Sequence, residues 1–340
     1  CGRLTVSAPT TVLTAYDRTR LELTAWPDTQ PGVLRSNAGS YYFLAAGAVP
    51  GQFGRQHQTV TSGTLDDPVL HGIVARSSIE GLPAGFTYAG AGQVWRDPRT
   101  GTVLQVVHLE RQTAPGRPLS FWTEIGLARL DLPSFNATFL GTILRPAVTF
   151  EQADRLDATV DVGTPSLVAR NGFLYFYFSD FGLTGSGLLA TSLSIARTPL
   201  AAAVAAAQSG HVTSWAKYRD AAWLGGQGEF AGELAPGSPV MWEPSAAYDP
   251  ALSRFVVVAP VSRSRVVLTQ SADAVTGWSG QQILWDDPGR FDAYPIIVGM
   301  GADPAVPGAT FYVYYLQWPS ADGQDWSRAV QLRRTVTCLS

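Results

Sequence analysis

An all-β chain, a five-bladed β-propeller forming one domain over residues 1–340 and closed by its N- and C-terminal strands, is the fold this sequence predicts. Three observations carry the prediction. A strand-like run rich in Tyr, Phe and Val recurs five times, each just after a turn signal. Aromatic residues reach 11% with ten Trp, whereas charged residues reach only 15%, so helix-favouring surface charge is sparse. Hydrophobic content of 46% is enough for a large core and excludes a disordered chain.

The recurring runs are 40–44, 102–108, 173–178, 254–258 and 310–315. Their β-branched and aromatic content suits buried strands. The turns before them read Asn37-Ala38-Gly39, Asp97 to Gly101, Asn171-Gly172, Asp249 to Ser253 and Pro307-Gly308. A half-exposed strand follows each run, at 72–76, 126–129, 194–197, 267–270 and 331–334. Another precedes each hairpin, at 32–35, 93–95, 165–168, 240–242 and 295–298, and outer strands fall at 137–144, 213–218 and 280–285. A β-sandwich could hold as many hairpins but would not need the five-fold recurrence. One helix is expected, over 199–208, where alanines end at Ser209-Gly210; it decorates the surface between blades.

The formal net charge is −3 and the basic residues are scattered, which excludes a nucleic-acid partner. No apolar stretch reaches membrane-span length. The chain opens on Cys1-Gly2 without Met, which predicts a removed export signal and an extracellular, periplasmic or outer-membrane location. Three accounts of Cys1 stand: a lipid anchor, the only membrane link expected, a disulfide to Cys338, or two free thiols. Pairing residues 3–7 antiparallel with 331–337 sets residue 3 near residue 336 and Cys1 opposite Cys338. Such a bond would constrain the whole ring, worth roughly 4–5 kcal/mol in the entropy model.

Strand direction alternates, so the starts of innermost strands share a face with the ends of second strands. Those positions hold Asp28, Gln93, Asp161, Glu243 and Asp292, then His108, Glu110, Ser179, Asp180 and Gln317. Trp26, Trp242, Tyr294 and Trp318 lie among them. Carboxylates beside aromatic platforms are what glycan chemistry requires: rings stack on sugar faces, and cleavage needs an acid and a base or nucleophile. Structural readings compete at each position. Glu110 with Arg111 also fits a rim ion pair, Asp180 a turn cap, and Asp28 an ordinary Pro-rich turn. His108 fits substrate binding, tuning of a carboxylate, cation ligation or a satisfied core position. His57, His71 and His211 sit in loops without metal spacing, and Asp97, Asp249 and Asp303 sit in far-face hairpin turns. No cofactor is expected; structural calcium in the channel is compatible with the acidic groups, although no calcium-loop motif is present. Gly225 to Gly228 lacks the residues of a phosphate loop, and no Gly-x-Ser-x-Gly elbow occurs.

The stretches 94–110, 163–180 and 215–218 resemble secreted five-bladed propellers related to glycoside hydrolases, namely family-43-like enzymes and bacterial endo-D-arabinanase-like propellers. The resemblance spans residues 32–336. It implies hydrolysis of furanosyl or xylosyl links in a polysaccharide or oligosaccharide by carboxylates at the channel mouth. Glu243 would correspond to the acid, although Glu243-Pro244 lacks the family's intervening Gly. Asp28 would correspond to the base but is followed by Thr29 rather than Pro, and the third carboxylate would be Asp161 or Asp180. The expected catalytic set is thus Glu243 as acid, Asp28 or Glu110 as base, and Asp180 or Asp161 for orientation. His108, Trp26, Trp242, Tyr294, Trp318, Asp292 and Arg111 are expected to bind substrate. The alternative is a non-catalytic glycan-binding or surface-assembly propeller; a lyase using Tyr294, His108 and Arg111 is a third reading.

Overall fold

The computed structural model describes residues 3–47, 57–113, 120–185, 187–225, 227–323 and 325–339. Its strands form antiparallel meanders, and each aromatic-rich run is the second strand of one, paired on both edges. These are Tyr41–Ala46, Val103–Gln112, Phe173–Phe178, Arg254–Pro260 and Thr310–Trp318. Burial on both faces explains why they read as near-continuous apolar runs rather than as alternating ones. The first strands are Gly32–Arg35, Tyr88–Arg96, Leu167–Arg170, Ser245–Asp249 and Phe291–Gly299. Each of these touches the next in that order.

The hydrophobic core is divided in the same order. One cluster joins Leu34 and Leu44 to Ala89 and Val107, the next Trp95 and Leu104 to Leu174 and Phe176, and the next Tyr175 and Tyr177 to Phe255 and Val257. A fourth joins Val256 and Val266 to Val313 and Tyr315. A fifth runs from the last meander back to the first, through Ile296, Val298 and Tyr314 against Trp26, Val33 and Phe43. Apolar faces of neighbouring meanders thus bury each other, the usual way in which sheets with one apolar face form a core.

The sheets differ from the expectation in four places. The first two meanders form one eight-stranded sheet, because Ile79 and Glu80 pair in parallel with Ala137 and Thr138. The third strand of the first meander is His57–Gly63, and the expected 72–76 strand becomes the fourth, Ile73–Glu80. His57 therefore lies in a strand, not in a loop. Residues 240–242 are not a strand: Glu243 has φ +46°, and the strand begins beyond Pro244 at Ser245. Finally, Arg3–Val6 pairs with Val330–Leu339 with Arg3 opposite Leu339 and Leu4 opposite Cys338, a slip of three residues from the expected register. Thr10–Leu13 pairs with the same strand, so the N-terminal segment adds two strands there. Cys1, and with it the disulfide or lipid expectation, lies outside the described residues.

The helix Leu200–Gln208 is present. Two short helices, Ala15–Arg20 and Phe150–Leu156, each open on a reciprocal capping box, Thr14 with Asp17 and Thr149 with Gln152. No helix among the described residues is long and apolar enough to cross a membrane.

Candidate active site

Four carboxyl groups carried by four different stretches of chain act on one another at one place. Asp28 lies in the turn after Trp26-Pro27, with its N–H bonded to the Ala46 carbonyl at 2.9 Å. Its carboxylate accepts from the Tyr88 hydroxyl at 3.0 Å and from the Tyr294 hydroxyl at 3.3 Å. Tyr88 opens the strand Tyr88–Arg96 directly opposite Glu110, and Gly90 lies opposite His108. A Cβ at Gly90 would sit 2.7 Å from Thr29 and 2.8 Å from the Tyr88 ring, so only glycine lets both close on the site. Tyr294 stands on a bulge between Ala293 and Ile296 with φ +56°, which turns its ring out of the ladder.

Asp161 folds back in a tight turn and accepts the Gly163 N–H at 2.8 Å. Gly163 has φ +75°, and a Cβ there would lie 3.1 Å from the Glu243 Cα, so this turn packs directly under Glu243. The Glu243 carboxylate accepts the Tyr294 N–H. Its carbonyl accepts from the buried Gln30 amide, which also donates to the Pro295 carbonyl at 2.9 Å. His108 and Glu110, two apart on Val103–Gln112, point to the same side; His108 Nε2 lies 3.0 Å from Glu110 Oε1. Asp28, Tyr88, Glu110, Asp161, Glu243 and Tyr294 are all half-buried, so the recess keeps an opening to solvent.

Burial, and then crowding of like charge, raises Asp28, Asp161 and Glu243 above the usual carboxylate range. Burial, then the Glu110 charge, pushes Asp28 up to about 7 against the hydrogen bonds of Tyr88 and Tyr294. Burial, then the charges of Asp161 and Asp28, pushes Glu243 up to about 8. Asp161 is raised as well, by burial, with His108 pulling the other way. Burial and the neighbouring carboxylates hold the Tyr88 and Tyr294 hydroxyls well above the usual phenol value, so both remain donors to Asp28. Near neutral pH the recess therefore holds carboxyl groups that give up their protons less readily than ordinary carboxyls, each within reach of the others' charge.

The other predicted residues are placed elsewhere. Asp180 is fully buried: its Oδ2 meets Lys217 Nζ at 2.7 Å and the Ala231 N–H at 2.8 Å. Lys217 spends its remaining donors on the Arg145 and Glu229 carbonyls. Asp292 is buried as well, accepting from Trp285 Nε1 and Gln317 Nε2, both at 2.9 Å. Trp26 and Trp318 are each 1% exposed and belong to the core, whereas Trp242 is 48% exposed beside Glu243. The expectation of sugar platforms at Trp26 and Trp318 is thus corrected: a ring packed inside a sheet interface has no free face. Arg111 lies over Phe86, Trp122 and Phe150, at 4.9 to 6.0 Å from the ring centroids. Ser179 donates to the Met241 carbonyl at 2.8 Å. Sequence reasoning missed Tyr88 because it started the inner strand at Gln93, five residues late; the polar-aromatic Thr87-Tyr88 pair after Gly85 was the available signal. Among the described residues, no three His, Cys, Asp or Glu side chains converge as metal ligands.

The fold is of the kind seen in propeller glycoside hydrolases of family 43 and their structural neighbours. No known sequence family matches the chain, and no curated protein is similar to it in sequence. The similarity is to solved structures. Arabinanase from Bacillus subtilis superposes with a TM-score of 0.52 at 13% identity, over 90% of this chain and 92% of that one. The α-L-arabinofuranosidase of Podospora anserina, in complex with cellotriose, gives 0.53 at 9% identity over 96% and 95%. An exo-β-1,3-galactanase from Phanerochaete chrysosporium with β-1,3-galactotriose gives 0.53 at 10% identity. The match covers 90% of this chain but only 59% of the galactanase.

Proposed function

We propose that this protein is a glycoside hydrolase built as a five-bladed propeller and acting on a furanosyl or xylosyl polysaccharide. The five shared core clusters support the blade count, with the eight-stranded sheet read as two blades bridged by a short parallel pair. Glu243, protonated below about 8, is the general acid that protonates the leaving oxygen. Asp28, oriented by two tyrosines and ionised above about 7, is the base. Asp161, anchored under Glu243, adds the charge that keeps the proton on the acid. Exposed Trp242 offers its ring to a sugar face. Asp180 has no part in this reading, since its carboxylate is committed to Lys217.

The observation that carries the proposal is the meeting of Asp28, Asp161 and Glu243 in one half-open recess, where burial and mutual charge raise their proton affinity toward the range that acid and base work requires. Incubation with arabinan, xylan and galactan, with reducing-sugar release as the readout, tests it. Wild type should cleave arabinan or xylan, cleavage of galactan alone overturning the furanosyl or xylosyl assignment, and Glu243→Gln and Asp28→Asn should lower turnover at least about 100-fold while remaining folded. Binding without cleavage by wild type would replace the hydrolase with a glycan-binding propeller.

A further inference from the structure

His108 is committed at both ring nitrogens. Nδ1 lies 3.0 Å from the Gly163 carbonyl oxygen, and Nε2 lies 3.0 Å from Glu110 Oε1. A carbonyl only accepts, so Nδ1 carries a hydrogen. The second nitrogen faces a carboxylate oxygen, which also accepts when ionised. A neutral imidazole has one N–H and satisfies one of the two, whereas an imidazolium satisfies both. The side chain is 6% exposed, so water cannot stand in for either partner. The Tyr88 ring meets it edge-on at 6.4 Å. The charged groups that face it are Glu110 from its own strand, Asp161 from the turn ending at Gly163, Asp28 from the first turn, and Glu243 from the loop before Ser245.

We propose that His108 is a positioning residue held as an imidazolium, a fixed positive charge paired with Glu110 that favours ionisation of Asp28, Asp161 and Glu243. Its Nδ1–H also ties down the Asp161–Gly163 turn that lies under Glu243. Neither nitrogen is left to meet a sugar hydroxyl, so the substrate-binding role expected from the sequence is replaced by an electrostatic one. The balance of forces agrees. Burial alone would strip the proton from the ring, but the Glu110 hydrogen bond and the charges of Asp161 and Glu110 outweigh it and lift the group to about 10. In turn His108 lowers Asp28, Asp161 and Glu243, each of which burial raises.

Nitrogen-15 NMR of the wild-type protein at pH 8 tests the charge state without reference to any activity. The His108 resonances, identified by their disappearance in His108→Gln, should both show the imidazolium signature. One protonated and one bare nitrogen at that pH overturns the proposal. In Glu110→Gln the hydrogen-bond geometry survives without the charge, so His108 should lose its proton at lower pH; an unchanged titration also overturns it.

The second arm rests on the hydrolase reading. Removing a positive charge makes Asp28, Asp161 and Glu243 harder to ionise, so both limbs of the pH–rate profile of His108→Gln should move upward by about one pH unit. A merely structural role lowers kcat and leaves the limbs in place, and that result in a folded variant refutes the proposal. If wild type cleaves no substrate, the hydrolase reading fails alone, and the NMR measurement still decides the state of His108.

Discussion

Glu243→Gln should make the protein increasingly more stable than wild type as pH rises from about 4.5 to about 8, while lowering turnover at least about 100-fold. The group's value rises from 4.5 to about 8 on folding, through burial first and then the charges of Asp161 and Asp28. Its contribution to native stability is fully present below about 4.5. That contribution is lost steadily as pH climbs to about 8, because the unfolded chain ionises freely while the folded recess resists. At about 1.4 kcal/mol for each tenfold change in proton affinity, the ceiling is about 5 kcal/mol. Half-burial and shared ionisation with Asp161 reduce this to about 2 kcal/mol. Glutamine keeps the shape and removes the titration. The variant should therefore melt with wild type near pH 5 and about 3 °C above it at pH 9. Thermal melting followed by the intrinsic fluorescence of ten tryptophans measures this directly. A difference in melting temperature that does not widen with pH would refute the electrostatic account of the recess.

Three other outcomes follow from the same geometry. Lys217→Met leaves the buried Asp180 carboxylate without its cation and should cost about 3–5 kcal/mol in urea denaturation; a loss below about 1 kcal/mol would show that the pair is solvated. Gly163→Ala places a Cβ against the Glu243 backbone at φ +75° and should cost about 1–2 kcal/mol. Because the displaced residue is the proposed acid, kcat should fall more steeply than stability; equal melting and equal kcat would contradict the packing. Trp242→Ala should raise KM several-fold with stability within about 0.5 kcal/mol of wild type, since the ring is half exposed. An unchanged KM would remove Trp242 from the substrate path.

The central strands were legible because they are buried on both faces, and burial on both faces writes a dense aromatic and β-branched run into the chain. His57–Gly63 was not legible. Its Gln58, Thr59, Thr61 and Ser62 are buried polar residues, so neither period nor hydropathy marks it as a strand. Asp28, Glu110, Asp161 and Glu243 came from a directional argument about strand ends, and the structure brings all four into mutual interaction. The same argument selected Asp180 and Asp292, which occupy equivalent positions along their strands but turn into the protein and meet Lys217, Trp285 and Gln317. Strand position sets the height of a carboxyl group in the fold, not the direction of its side chain.

By itself the sequence determined the all-β class, the order of the meanders and the strand ends that could carry chemistry. All of these follow from the local period of burial and from turn residues. Only the tertiary structure decided which carboxyl groups share a recess, which tryptophans keep a free face, and that both His108 nitrogens are occupied. These depend on positive-φ turns at Gly163, Glu243 and Tyr294 and on contacts between residues more than a hundred positions apart. Desolvation and charge repulsion act through space. Their effect on Asp28 and Glu243 is therefore set when distant turns meet, and no single stretch of chain contains it.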